Sequence, residues 1–280
     1  MAILIDWNQV AISGLLANTK TNHYLEEDLI RHIVLNTLRA NTKKFKEYGE
    51  VILCCDSRNY WRKSIFPYYK AHRKSAREKS PLDWNAIFKS LNKLKQDLKE
   101  HFPYRVIEVD GAEADDVIAT LTPRLSSSEK VLILSSDADF KQLQRYPNTK
   151  QYNPMLNVYV TSKNPLQELK EKVIRGDSGD GIPSILSPDD TFVTKTRQPP
   201  LTQKKLSLWL SGSIKDQLNE EQYRNYIRNS TLINFEHIPS NITQNIINEY
   251  EATSPNPKSK LYKYLVQNKL ISLLESIEDF

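Results

Sequence analysis

Glu113, Asp115 and Asp116 stand within four positions of one another in "GAEADDVIATL" (111–121), directly ahead of an apolar helical pattern. Further acids follow apolar runs: Asp6 after "AILI", Asp56 after "EVILCC", and Asp137 with Asp139 after "KVLILSS". Asp177 and Asp180 complete the set in "DSGD", making nine carboxylates. Any one of them reads equally well as a helix cap or a loop acid. The dipole at a helix N-terminus favours an exposed acid by at most about 1 kcal/mol, too little to gather so many. Hard divalent cations explain the gathering better, because they take oxygen ligands directly or through their own waters. Two such ions about 3.5–4 Å apart suit phosphodiester hydrolysis, activating water and stabilising the leaving oxygen. Zinc would call for histidine or cysteine, and the five histidines are scattered without ligand spacing. A phosphatase with a nucleophilic aspartate normally carries a second Asp two positions later, where this chain has Asn8.

The elements that must carry these acids are legible as runs. Buried strands are expected at 2–5, 50–55, 104–109 and 130–136, with a helix across 25–48. Strands alternating with helices predict an α/β fold with a mostly parallel, doubly wound sheet. Ligands of such sheets bind beyond the carboxyl ends of the strands, which is where the acids fall. Past residue 186 the texture changes: "LSPDDTFVTKTRQPPLTQ" (186–203) reads as a loop or linker. Amphipathic helices are then expected at 221–229, 241–252 and 260–278, with "TSPNPKS" (253–259) as a break. The expected organisation is an α/β domain over 1–185 and a C-terminal helical subdomain over 186–280.

Composition narrows the setting. At 39% hydrophobic and 26% charged, 280 residues suffice for one large domain or two small ones. No run approaches the roughly 18 apolar residues of a membrane span, so no membrane association is expected. "MAILIDWNQV" has no basic n-region and is not expected to be a signal peptide. Cys54 and Cys55, adjacent in an apolar run, suit a buried strand better than a disulfide, which implies a reducing, cytoplasmic setting.

Charge is distributed unevenly. Residues 57–80, "SRNYWRKSIFPYYKAHRKSAREKS", hold eight Lys or Arg, one acid (Glu78) and five aromatics. A solvated helix face is the plain reading. The interleaving favours nucleic acid, with basic groups on phosphates and rings on the bases of a single strand. Arg58, Tyr60, Arg62, Lys63, Tyr69, Lys70, Arg73, Lys74 and Arg77 are the candidate contacts. Setting the nine acids aside leaves 25 acidic against 39 basic residues, a net of +14. An acidic metal pocket in a basic body suits a polyanionic substrate.

"ILIDWNQ", "LCCDS", "YYKAHR", "EADDVIA", "SSDADFKQL" and "RGDSGDGIP" occur in the order and spacing of the flap endonuclease, or 5′-nuclease, superfamily. Through its ending "SIEDF" the whole chain resembles the tailed-phage RNase H branch. The resemblance implies that Asp6, Asp56, Glu113, Asp115, Asp116, Asp137 and Asp139 bind metal, and that Asp177 and Asp180 complete a second metal site. It implies that Lys70 and Arg73 form a basic pair at the foot of a helical arch, about 57–100, and approach the scissile phosphate. "GDSGDGIP" would open a helix-turn-helix-like grip on duplex, although this chain continues with "SILSPDDTFVTKTR" in place of the usual glycines and lysines.

The function implied is a two-metal, Mg²⁺-dependent 5′→3′ exonuclease with RNase H and flap endonuclease activity, in which Mn²⁺ can substitute. Asp115, Lys70 and Arg73 would be catalytic. Substrates would be DNA and RNA–DNA duplexes with a 5′ end or flap, met during phage DNA replication by a monomer in the host cytoplasm. Single-stranded-DNA-binding protein and a sliding clamp are the partners implied. Leu261, Leu265, Leu270, Leu273, Leu274 and Ile277 would form either a core helix or a docking helix for such a partner. Two other readings are a PIN-type endoribonuclease and a non-catalytic nucleic-acid-binding module. The first usually lacks the long basic segment and the C-terminal helices, and the second needs no convergent acids.

Overall fold

The computed structural model describes residues 1–18 and 25–280. Six strands form one sheet: β1 (Ala2–Asp6), β2 (Glu50–Cys55), β3 (Arg105–Glu108), β4 (Val131–Leu134), β5 (Thr149–Asn153) and β6 (Val158–Val160). Their order is β3-β2-β1-β4-β5-β6, parallel except for β6, which returns antiparallel along β5. Near-continuous Val, Ile and Leu make β1, β2 and β4 strands buried on both faces, as a parallel sheet covered by helices requires. β1 lies between β2 and β4, so the strand order turns about it and opens a crevice at the carboxyl ends. The four expected strands are present within about two residues of their predicted ends.

Packing groups the residues into two units that interleave along the chain. Unit 1 comprises Met1–Arg58, Pro81–Thr161 and Asn241–Phe280, and unit 2 comprises Asn59–Ser80 and Ser162–Ser240. The linear boundary at 185/186 is a division of chain continuity rather than of packing, and it stands as a proposal.

Unit 1 holds the sheet. Helix Glu27–Lys44 buries Ile30, Val34, Leu35 and Leu38, and it ends four residues short of the expected 48, in a 3₁₀ turn over Lys46–Tyr48. Helix Trp84–His101 carries Ile87, Leu91, Leu94 and Leu98 at intervals of four, three and four, an apolar stripe that seats it in the same core. The expected arch across 57–100 therefore spans parts of both units, and it stands as a proposal. The apolar stripe makes 84–101 a core helix, and only 59–80 belongs to unit 2.

At the C-terminus the core reading and the helix bounds fare differently. Leu261, Tyr264, Leu265 and Leu273 are buried in the core of unit 1, which favours the core reading of this segment. The single helix expected over 260–278 is broken into Lys258–Gln267, Ile271–Leu274 and a 3₁₀ turn at Ile277–Asp279. Lys269, at φ +55°, donates to Val266 O while Leu270 donates to Leu265 O, the paired bonds of a Schellman stop.

Unit 2 is helical. Phe66 and Tyr69 pack with Leu169, Val173, Ile182, Leu232 and Ile233. The stretch after 186, expected as a loop or linker, is pinned by its neighbours. Asp189 accepts from Arg224 and Arg228, while buried Asn225 donates to Ile185 O and Ser187 O. Among the described residues no helix is long and apolar enough to cross a membrane.

Candidate active site at the carboxyl ends of the strands

Asp6 is the last residue of β1 and is 7% exposed. Burial, then the charges of Asp56 and Asp137, push its carboxyl up to about 7, against hydrogen bonds from Ser135 and the Gln9 amide. Asp56 follows β2, accepting from Asn8 Nδ2 at 2.6 Å and from the Ala114 amide at 2.8 Å. Asp137 follows β4 and caps the 3₁₀ segment Ala138–Arg145, its Oδ1 accepting from the Asp139 amide at 2.8 Å. Asp115 sits in the first turn of helix Ala114–Ser126, whose Ala114 amide donates to Asp56 Oδ1, so this turn lies beside the end of β2. Carboxylates from β1, from the loops after β2 and β4, and from the first turn of helix Ala114–Ser126 therefore share one field.

Glu113 and Asp116 have a second occupation. Glu113 is the N-cap of helix Ala114–Ser126, and the two close a capping box in which the Glu113 amide donates to Asp116 Oδ2 at 2.9 Å. Both are buried. Like charges are tolerated on this turn partly because two of the three carboxylates accept backbone N–H groups that a helix start leaves unpaired. Metal ligation by Glu113, Asp116 and Asp139 stands as a proposal beyond that.

The donor set is oxygen only, and the charges of Asp56 and Asp137 both act on Asp6. Both features fit a hard divalent cation. Among the described residues no three of His, Cys, Asp or Glu form a ready-made cage.

Asp177 and Asp180 lie in unit 2 on a loop closed by reciprocal backbone bonds between Asp177 and Ile182, at 2.8 and 2.7 Å. Lys172 pairs with Asp177 at 2.6 Å. Asp180 accepts from Arg73 Nη2 at 2.6 Å and from Tyr69 OH at 2.8 Å, with Lys70 Nζ at 3.7 Å. Burial raises the Asp180 carboxyl, but Lys70, Arg73 and Tyr69 together outweigh it and hold the group below its ordinary value. Lys70 sits at φ +56°, its amide donating to Asp180 O at 2.8 Å, and its ammonium lies over the rings of Tyr69 (4.9 Å) and Tyr60 (5.8 Å).

Several expected contacts thus have other work. Tyr69 is 1% exposed and Arg62 is 3% exposed, with Arg62 Nε donating to Leu232 O at 2.9 Å. Both are packed within unit 2, and their contact with nucleic acid stands as a proposal. Tyr60 is half-buried beside Tyr69, with the Lys63 ammonium over its ring at 4.4 Å. Arg58, Lys63, Lys74 and Arg77 are exposed, as phosphate contacts must be.

The acid loop depends on Gly176, at φ +74°. A Cβ there would stand 2.3 Å from Ile182 O and 2.5 Å from Pro183 C, both backbone atoms. Gly176→Ala is expected to cost more than about 2 kcal/mol, from left-handed strain and a clash that no side chain can relieve. A lowered urea midpoint would report it, and an unchanged midpoint would contradict this reading of the loop.

Residues 3–174 match the 5′-3′ exonuclease N-terminal resolvase-like domain, and residues 164–280 match the C-terminal domain of T4 RNase H. The chain is 37% identical to the ribonuclease H of Enterobacteria phage T4, over 99% of its own length and 95% of that protein's. The chain belongs to this 5′-3′ exonuclease family. A flap endonuclease Xni of Shewanella pealeana is 34% identical over 45% of this chain and 48% of its own. Bacteriophage T5 flap endonuclease, solved in complex with DNA and metal ions, shares the fold at a TM-score of 0.63 and 15% identity, covering 89% of this chain and 99% of that one.

Within this family member, sequence reasoning passed over the residues that hold the acids. Asn8 fixes Asp56, and Gln9 bonds Ser136 through both its amide nitrogen and oxygen. Ser135 and Gln151 tie the end of β4 together. The serines were visible in "SSDAD", next to the acids. Gln151 carries no local signal at all.

Proposed function

We propose that this exonuclease-family chain is a Mg²⁺-dependent 5′→3′ exonuclease and flap endonuclease that removes RNA primers and adjoining DNA from lagging-strand fragments. The observation that carries the reading is the convergence of Asp6, Asp56, Asp115 and Asp137 on the carboxyl ends of β1, β2 and β4. The match of 164–280 to the T4 RNase H C-terminal domain favours it over a PIN-type endoribonuclease. Phage replication in a host cytoplasm, action as a monomer, and partnership with single-stranded-DNA-binding protein and a sliding clamp belong to the same proposal.

Asp6, Asp56, Asp115 and Asp137 would hold the divalent ions. When bound, these supply Lewis acidity that eases water deprotonation and steadies the leaving oxygen. Buried Asp6 sets the depth of the site, and Asn8 keeps Asp56 turned toward it. Lys70 and Arg73 stabilise charge developing on the scissile phosphate, and Asp180 keeps both in place until then.

Three 5′-labelled substrates, a flap, a nicked duplex and an RNA–DNA hybrid, test the reading. Cleavage in Mg²⁺ and its loss in EDTA are expected, and intact substrates in both Mg²⁺ and Mn²⁺ would overturn it. Lys70→Ala is expected to lower the single-turnover rate by roughly 10²-fold with little change in affinity, since a charge-stabilising donor acts mainly in the transition state. Replacing Arg58, Lys74 or Arg77 should instead weaken binding and reduce the salt slope by about 0.9 each. If Lys70→Ala altered affinity alone, Lys70 would join the second group.

A further inference from the structure

Ser135 stands one residue past β4 and is 0% exposed. Its hydroxyl donates to Asp6 Oδ2 at 3.0 Å and accepts from the Asp137 amide at 3.1 Å. A serine hydroxyl has one proton, so a single oxygen links the carboxylate at the end of β1 to the backbone of the acid after β4. The spacing of these two acids is therefore set by two hydrogen bonds through one atom.

That atom is itself held in place. The Ser135 amide donates to Tyr152 O at 3.2 Å, extending the β4–β5 ladder one residue beyond the strand. Gln151 on β5 is 1% exposed, and its Nε2 donates to Ser135 O at 3.1 Å and to Asp137 O at 2.6 Å. Its Oε1 accepts from Gln144 Nε2 at 3.3 Å. The amide side chain so takes the place of a further strand residue, satisfying the two carbonyls that flank Ser136 as the backbone turns toward the acids.

We propose that Ser135 is a positioning residue of the metal site, fixing Asp6 against Asp137, and that Gln151 holds the turn that carries it. Neither residue needs to touch metal or substrate. Hydrogen bonds behind a ligand set its orientation, and losing one typically costs 10–100-fold in metal affinity or activity. The inference rests on the metal reading of the acids given above.

The test uses the full chain without DNA, with free Mn²⁺ counted by electron paramagnetic resonance, alongside the Mg²⁺ concentration for half-maximal cleavage. Ser135→Ala is expected to raise both the Mn²⁺ dissociation constant and the Mg²⁺ requirement by about tenfold or more. DNA affinity in EDTA should stay unchanged. Ser135→Thr, which restores the hydroxyl, should recover metal affinity to within about threefold, a rescue that a packing role alone does not produce. Gln151→Met, which keeps volume and removes both donors, should shift metal affinity in the same direction. If Ser135→Ala fails to fold, Ser135→Cys makes the same comparison with a weaker donor. Mn²⁺ affinity unaltered in the Ser135 and Gln151 variants overturns the proposal, as does a loss that Ser135→Thr leaves unrepaired. A wild-type chain that binds no Mn²⁺ removes the metal reading itself, which is a different failure.

Discussion

Asp137→Asn is expected to lower the single-turnover cleavage rate by at least about 10³-fold, corresponding to the several kcal/mol that a bound ion supplies to phosphodiester hydrolysis. The substitution separates chemistry from folding with little ambiguity. Asp137 caps its 3₁₀ segment through one side-chain oxygen accepting from the Asp139 amide, and the asparagine oxygen can do the same. What is lost is charge. Asp137 is one of two neighbours whose charge pushes the buried Asp6 carboxyl up, so its removal relieves repulsion in the folded state. The thermal midpoint should therefore stay close to that of the parent. DNA affinity measured in EDTA should stay within about threefold, because it rests on exposed basic groups such as Arg58, Lys74 and Arg77. Turnover at the parental rate would remove Asp137 from the metal site. A fall in the thermal midpoint that tracked the loss of rate would point to folding instead.

A chain ending at Asn256 is expected not to fold. It lacks Leu261, Tyr264, Leu265 and Leu273, all of them in the core of unit 1 and none more than 3% exposed. Burying a large apolar side chain contributes about 1.5–3 kcal/mol, so the four amount to roughly 6–12 kcal/mol. The whole stability of a typical domain is about 5–15 kcal/mol. The loss extends to partners left behind. Phe102 packs edge-on against Tyr264 and Phe280, and Asp97 accepts from Tyr264 OH at 2.8 Å. Differential scanning calorimetry should find no cooperative transition in the truncated chain, and basal cleavage should vanish with it. A folded, active truncation would make the segment dispensable to the core and reopen a purely docking role for it.

Much of this was legible in the sequence because it is local and periodic. Short apolar runs such as "AILI", "EVILCC" and "VLIL", alternating with helical patterns, read as buried strands, and acids at or just past their ends fall at one edge of a parallel sheet. Six motif blocks in order fixed the family, which the whole-length similarity to a phage ribonuclease H bears out. The apolar stripe of Ile87, Leu91, Leu94 and Leu98 was equally present in the sequence. A helical stripe shows that a face is buried but not against what, so its place in the sheet core emerged only from packing.

The tertiary structure decided which polar groups are spent on one another. Arg62 and Tyr69 look like nucleic-acid contacts in a basic, aromatic segment, yet they are buried in unit 2 and bonded to Leu232 O and Asp180. Asp180 holds Lys70 and Arg73 across more than a hundred residues of sequence. Gln151 steadies Ser135 and Asp137 only because β5 lies beside β4 in register. Apolar burial is non-directional and can be read from a residue's type and spacing. A hydrogen bond or ion pair is directional and short-ranged, so its existence depends on which distant segments the fold sets side by side.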